Sequence, residues 1–226
     1  MDLQLLNAQD HGHLRLGRLP AAAPHFVQVV PSEFVAAAAV CPIFLTKNAE
    51  TGRFYAGAMF GFEPGENLLG AAGAGQAVFT PLDLERQGFF ATDSGEIAVD
   101  LSHPRFSGHQ GAALFDVQGQ PTSAARRLQH VLAQMRAGVD ESERFIQALL
   151  ARKLVEPIDI ELSFDDGKTL SLNGLYTVSL DTLAELDDAA VLELFRQGDL
   201  QLIYAMNGSL KHVSALAKLR NDKLAA

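Results

Sequence analysis

Cysteine is nearly absent from this chain: Cys41 is the single one in 226 residues. An intrachain disulfide is thereby excluded, as are a disulfide scaffold and a zinc ribbon, which need several thiols. Basic residues are also scarce, 18 Lys and Arg against 27 Asp and Glu, for a net charge of −9 spread over both halves. A nucleic-acid partner requires a basic patch that releases counterions from phosphates, and the pairs Arg126–Arg127 and Arg152–Lys153 do not make one. Nucleic acid is therefore not an expected partner, and an anionic membrane surface is disfavoured for the same reason. Long apolar runs are missing as well. The longest candidate, Phe34 to Leu45, is about 12 residues and contains Pro42, whereas a membrane-spanning helix needs about 20. Met1 to Asp10 carry no Lys or Arg ahead of an apolar stretch, so a secretory signal is not expected and the cytoplasm is the default location.

What is present is a composition of 48% hydrophobic and 20% charged residues, that of an ordinary globular chain, with no internal repeat. Residues 1–25 show no clear period and read as an arm laid over the domain. Phe26 to Val30 reads as a strand, followed by a helix that opens at Pro31 with Ser32 placed to cap it and stops by Pro42. Ile43 to Lys47 and Arg53 to Phe62 read as a hairpin around the turn at residues 48–52. A Gly/Ala stretch at 70–75 precedes a strand candidate at Gln76 to Phe79. A short helical segment at Pro81 to Gln87 leads to strands near Phe89 to Thr92 and Glu96 to Leu101. Ser102 to Pro121 is rich in turn chemistry.

From Thr122 the period becomes helical, with Leu128, Val131, Leu132 and Met135, then Phe145, Ile146 and Leu149 on one side. This predicts two helices, or one interrupted at Gly138. Ile158, Ile160, Leu162 and Phe164 alternate with polar residues before the Asp165-Asp166-Gly167 turn, the strongest hairpin signal in the chain. Gly174 is expected to break the returning strand. Helices follow at about Asp187 to Gln197, closed by Gly198, and at Leu200 to Lys218. The pattern predicts an α+β fold, with a strand-rich N-terminal half and a helical C-terminal half carrying a late β-hairpin. It reads as a single domain over 1–226, divisible into a mainly β part, 1–121, and a mainly α part, 122–226, with the hairpin at 158–173.

Chemical motifs are thin. His11 and His13 are spaced so that an extended arm would put both on one side, a weak metal-ligand candidate against two solvated histidines. Asp100, His103 and Arg105 in DLSHPR could supply an acid-base group and an anion binder; as a simple turn, they would pair Asp100 with Arg105. Glu63 and Glu66 flank a Pro-Gly turn, where two exposed charges are the plain reading and shared acid-base duty the sharper one. The glycines at 70, 73 and 75 lack dinucleotide-binding spacing, and neither a Walker sequence nor a nucleophile elbow occurs. Cys41, between Val40 and Pro42, reads as a core residue. Nothing in the sequence calls for a cofactor.

Several segments together resemble the bacterial SapC family: VPSEF at 30–34, CPIFL at 41–45, MFGFEPGENLL at 59–69, DLSHPRF at 100–106, LFDVQGQPT at 114–122, NGLYTV at 173–178 and GDLQLIYAMNGSLKHVSAL at 198–216. The likeness runs from about Leu6 to Leu219. It implies a protein named for a link to a bacterial surface layer, distinct from the transporter permease that shares the label. It also singles out His11, Arg15, Glu66, Asn67, Arg86, Asp100, Arg105 and Asp116 as motif-matching polar positions.

Two expectations follow. The first is an accessory protein that binds a protein or peptide partner, or a second copy of itself, in cell-surface or uptake functions; it predicts an exposed apolar patch or groove. The alternative is an enzyme or small-ligand-binding protein with a site between the strand-rich and helical halves. In that reading Asp100, His103 and Glu66 are the catalytic candidates, and Arg105, Asn67, Arg86 and Arg15 bind the ligand.

Overall fold

The alternating stretch at 158–164 folds as read: Val155–Ser163 and Thr169–Val178 form an antiparallel hairpin in the computed structural model. The structure describes residues 2–17, 24–69, 79–106 and 110–225. The fold is α+β, with most strands in the N-terminal half, helices dominating the C-terminal half and the hairpin inserted late. The chain divides into two compact units, each built from separate stretches: 1–23 with 80–137, and 24–79 with 138–226.

In the first unit, Ile97–Asp100 is the central strand of a three-stranded antiparallel sheet, flanked by Leu3–Leu5 and Phe89–Ala91. Arg15–Leu16 pairs with Ala112–Ala113. The N-terminal residues are thus an edge strand of a sheet rather than an arm laid over it. The backbone groups of a short segment without a period are satisfied by pairing, which hydrophobic patterning does not reveal. Leu14, Phe89, Val99, Leu114, Leu128 and Leu132 form the core of this unit.

The second unit holds a five-stranded antiparallel sheet in the order Phe26–Gln28, Phe54–Met59, Ile43–Lys47, Thr169–Val178, Val155–Ser163. Its core includes Phe44, Met59, Phe62, Leu68, Phe164 and Leu216. Gly174 does not end the last hairpin strand. With φ at +76° it carries a bulge between Leu172 and Leu175, and the strand continues to Val178. The helix after Val30 begins as a 3-10 turn, Pro31–Glu33, before Phe34–Ala38. The carboxylate of Glu33, not Ser32, takes the Val30 amide at 3.0 Å.

One helix, Ser123–Ala151, passes through Gly138 without a break. Glycine is present there for close approach, because a Cβ at 138 would lie 2.5 Å from the Val30 Cβ. Gly198, at φ +81°, closes Asp188–Gln197 as expected. The single helix expected after it is two, Asp199–Ser209 and His212–Leu224. Ser209 donates its hydroxyl to the Met206 carbonyl at 2.6 Å, occupying an acceptor of the last turn, and the Leu210 amide reaches back only to Asn207. The Gly/Ala stretch 70–75 and most of the strand candidate at 76–79 lie outside the described residues.

Candidate functional site

The polar residues singled out in the sequence are largely bound to the chain's own backbone. Asp100, at the end of its strand and 8% exposed, accepts the Asp2 amide at 2.9 Å, the Ser102 amide at 3.1 Å and the Ser102 hydroxyl at 2.6 Å with one carboxylate oxygen. The Ser102 hydroxyl, then the Asp2 amide, hold its carboxyl below the ordinary range. His103 accepts the Arg105 amide through Nδ1 at 3.2 Å. Arg105 donates to the carbonyls of Glu85, Gln87 and Gly17 at 2.6, 3.2 and 3.3 Å. Burial pushes its guanidinium down from the ordinary value, with the Glu85 carboxylate opposing the shift. No ion pair joins Asp100 to Arg105 among the described residues, which corrects the turn reading: Asp100 bonds to Asp2 and Ser102, and Arg105 to the carbonyls of other segments.

The same wiring recurs in the other motifs. Asp116 accepts the amides of Gln118 and Gln120 at 2.9 and 2.8 Å, and Thr122 donates to the Ala113 carbonyl at 2.6 Å. Arg15 donates to the carbonyls of Gly12, His13 and Leu14. Arg86 pairs with Asp83 and lies over the Phe90 ring. His11 is buried at the end of the short helix Ala8–His11, so the two histidines are not presented by an extended arm. Its Nδ1 accepts the Asn7 amide at 3.1 Å and its Nε2 faces Gln4 at 3.4 Å, while His13 is exposed. Among the described residues no three His, Cys, Asp or Glu side chains gather as a metal site would require.

Glu66 and Asn67 belong to the second unit, whereas Asp100, His103 and Arg105 belong to the first. Glu66 accepts the Phe62 amide at 2.8 Å, and Asn67 accepts that of Leu69 at 3.0 Å. Glu63 lies 2.7 Å from Arg220, a 7% exposed arginine stacked on Phe164 at 4.3 Å and 3.8 Å from Glu66. Sequence reading missed Arg220, because it is separated from Glu63 by 157 positions. It also missed Arg144, which makes two bonds to the wholly buried Asp199, and Asn207, whose amide reaches the Val178 carbonyl at 3.1 Å. Cys41 is buried as read, its thiol pushed up to about 12 by desolvation.

The first unit carries an open groove of about 460 Å³ lined by Leu5, Leu6, Ile97, Phe115, Leu132 and Ala133, with Glu96 and Arg136 as its charged members. It crosses one end of the sheet, from Leu5 on one edge strand past Ile97 to Ala91 on the other. The Leu6 amide bonds to the Ile97 carbonyl and the Leu101 amide to the Asp2 carbonyl, so the even-numbered residues face the sheet. The backbone groups of Leu3 and Leu5 therefore point to the open edge. The Leu5 carbonyl accepts from Asn7 Nδ2 at 3.3 Å, and the side chains of Leu3 and Leu5 are half exposed, at 50% and 51%.

Fold and wiring together define an α+β protein whose signature residues hold its own turns and whose exposed apolar surface includes a strand edge. The chain belongs to the SapC family, whose model matches residues 6–216. No curated protein and no solved structure matches it. No helix among the described residues is long and apolar enough to cross a membrane.

Proposed function

We propose that this chain is a cytoplasmic accessory protein that binds an extended apolar segment of a protein or peptide partner in the groove of its first unit, in support of cell-surface or uptake functions. The observation that carries this reading is the open Leu3–Leu5 edge, with outward-pointing backbone groups and half-exposed leucines, which an apolar groove meets at Leu5. Strand addition at such an edge takes its affinity from main-chain hydrogen bonds and its specificity from pockets for alternate side chains. A partner with apolar residues at alternate positions fits this surface, and Glu96 and Arg136 supply a charge of each sign. The enzyme alternative asks Asp100, Arg105 and Glu66 to act on a substrate. Each of them already serves a backbone amide or carbonyl, which favours binding over catalysis.

The test is selection of random peptides displayed on phage against the whole protein, with Ala133→Arg as the groove-filling control. Enrichment of alternating apolar sequences, with affinity at least about tenfold weaker for the variant at unchanged melting temperature, is the expected result. No enrichment above background, or equal affinity for the variant, would overturn the reading.

A further inference from the structure

The second unit contains an open cavity of about 430 Å³, within the usual range for small-ligand sites. Two kinds of wall meet in it. Phe26 and Tyr55, whose rings meet edge to face, are joined by Val139 and Ile146 in an aromatic and apolar side. Arg53 and Glu143 also line the cavity, paired with each other across 90 positions of sequence.

Neither charge is spent on a buried network. Arg53 is 68% and Glu143 41% exposed in side-chain surface, and a pair this wet contributes little to stability, so it opens at small cost. Glu143 is held in place from its own helix, where Gln147 donates to its other oxygen at 3.0 Å. Gln147, then Arg53, hold its carboxyl below the ordinary range, so it is anionic at neutral pH. Nearby polar capacity is also free: among the described residues neither the Gln28 amide nor the Tyr55 hydroxyl makes a side-chain hydrogen bond, although both line the cavity. Asn48, by contrast, is occupied by the amides of Glu50 and Thr51 and the Thr51 hydroxyl.

A cation and an anion that can separate, beside an aromatic wall, complement a molecule carrying both charges on one end and an apolar body on the other. We propose that this cavity binds a free α-amino acid with a large apolar side chain, its carboxylate on Arg53, its ammonium on Glu143 and its side chain against Phe26 and Tyr55. A guanidinium meets a carboxylate with a fork of donors, and the ammonium replaces that guanidinium at the Glu143 oxygen, so no charge is left uncompensated when the native pair opens. This site is independent of the peptide groove in the first unit.

The chain has no tryptophan and three tyrosines, so the emission change that Tyr55→Phe abolishes reports on the cavity wall, and L-leucine is a silent titrant. Saturable change in that emission with L-leucine, and saturable binding of L-phenylalanine by calorimetry, are expected. Leucinamide, which lacks the carboxylate, and N-acetyl-leucine, which lacks the ammonium, should each bind at least about tenfold more weakly, as should L-leucine to Arg53→Ala and to Glu143→Gln. Both variants alter exposed side chains, and thermal melts establish that they are folded. Absence of saturable binding by either amino acid, equal binding of the two analogues, or full affinity in Arg53→Ala would overturn the proposal.

Discussion

Arg144 meets the buried carboxylate of Asp199 with two near-parallel hydrogen bonds, 2.9 and 3.0 Å long. Asp199 has no exposed surface and stands at the start of Asp199–Ser209, where a negative charge also suits the helix dipole. Removing the arginine strands that charge. Arg144→Ala is expected to lower unfolding stability by about 3 kcal/mol in denaturant titration, the lower end of the range for a broken buried pair because Arg144 is itself partly exposed. Asp199→Asn, which keeps hydrogen-bonding capacity without the charge, should cost less than Asp199→Ala.

Gly138 offers a test in which the sign is diagnostic. In an ordinary helix interior Gly→Ala stabilises by about 1 kcal/mol. Here the added methyl would overlap Val30, so Gly138→Ala is expected to destabilise by about 1 to 3 kcal/mol. Val30→Ala, costly alone, should recover part of that loss when combined with it, as a double-mutant cycle would read.

The Asp100 carboxyl titrates below its ordinary value in the folded chain. A carboxyl depressed by folding contributes stability that is present above the unfolded value, near 4, and is lost as pH falls through the folded one. Asp100→Asn should therefore be less stable than the parent at neutral pH, with the gap narrowing as the pH is lowered from 5 toward 2. Carboxyl chemical shifts in a pH titration give the folded value directly.

Cys41 has no exposed surface, donates its thiol to the Ala37 carbonyl at 3.3 Å and is pushed up to about 12. Thiolate is the reactive form, so alkylation by iodoacetamide at pH 8 is expected only in the unfolded protein. Mass spectrometry of native and denatured samples distinguishes the two.

Local chemistry was legible in the sequence. The alternation at 158–164 gave the hairpin, and Gly198 gave the helix end, because both signals lie within a few residues of what they specify. What failed to show was set by distant partners. Gly138 read as an interruption because Val30, the reason for the glycine, is far away in sequence. Ser209, which takes the Ile43 amide at 2.9 Å across 166 positions, gave no sign that it would split the last helix. Leu3–Leu5 lacked a period because an edge strand of three residues is defined by its ladder to Ile97–Asp100. For the candidate site, motif spacing singled out polar residues but left their partners open: Asp100 and Arg105 share a turn, yet each serves backbone from elsewhere.

The central claim is that a partner strand docks on the Leu3–Leu5 edge. Hydrogen–deuterium exchange of the Leu3 and Leu5 amides, resolved by NMR with and without saturating phage-selected peptide, tests it most directly. The account predicts slow exchange at both amides in the complex, with the Gln4 amide, already directed into the sheet, little changed. Unchanged exchange at Leu3 and Leu5 with peptide bound would contradict it.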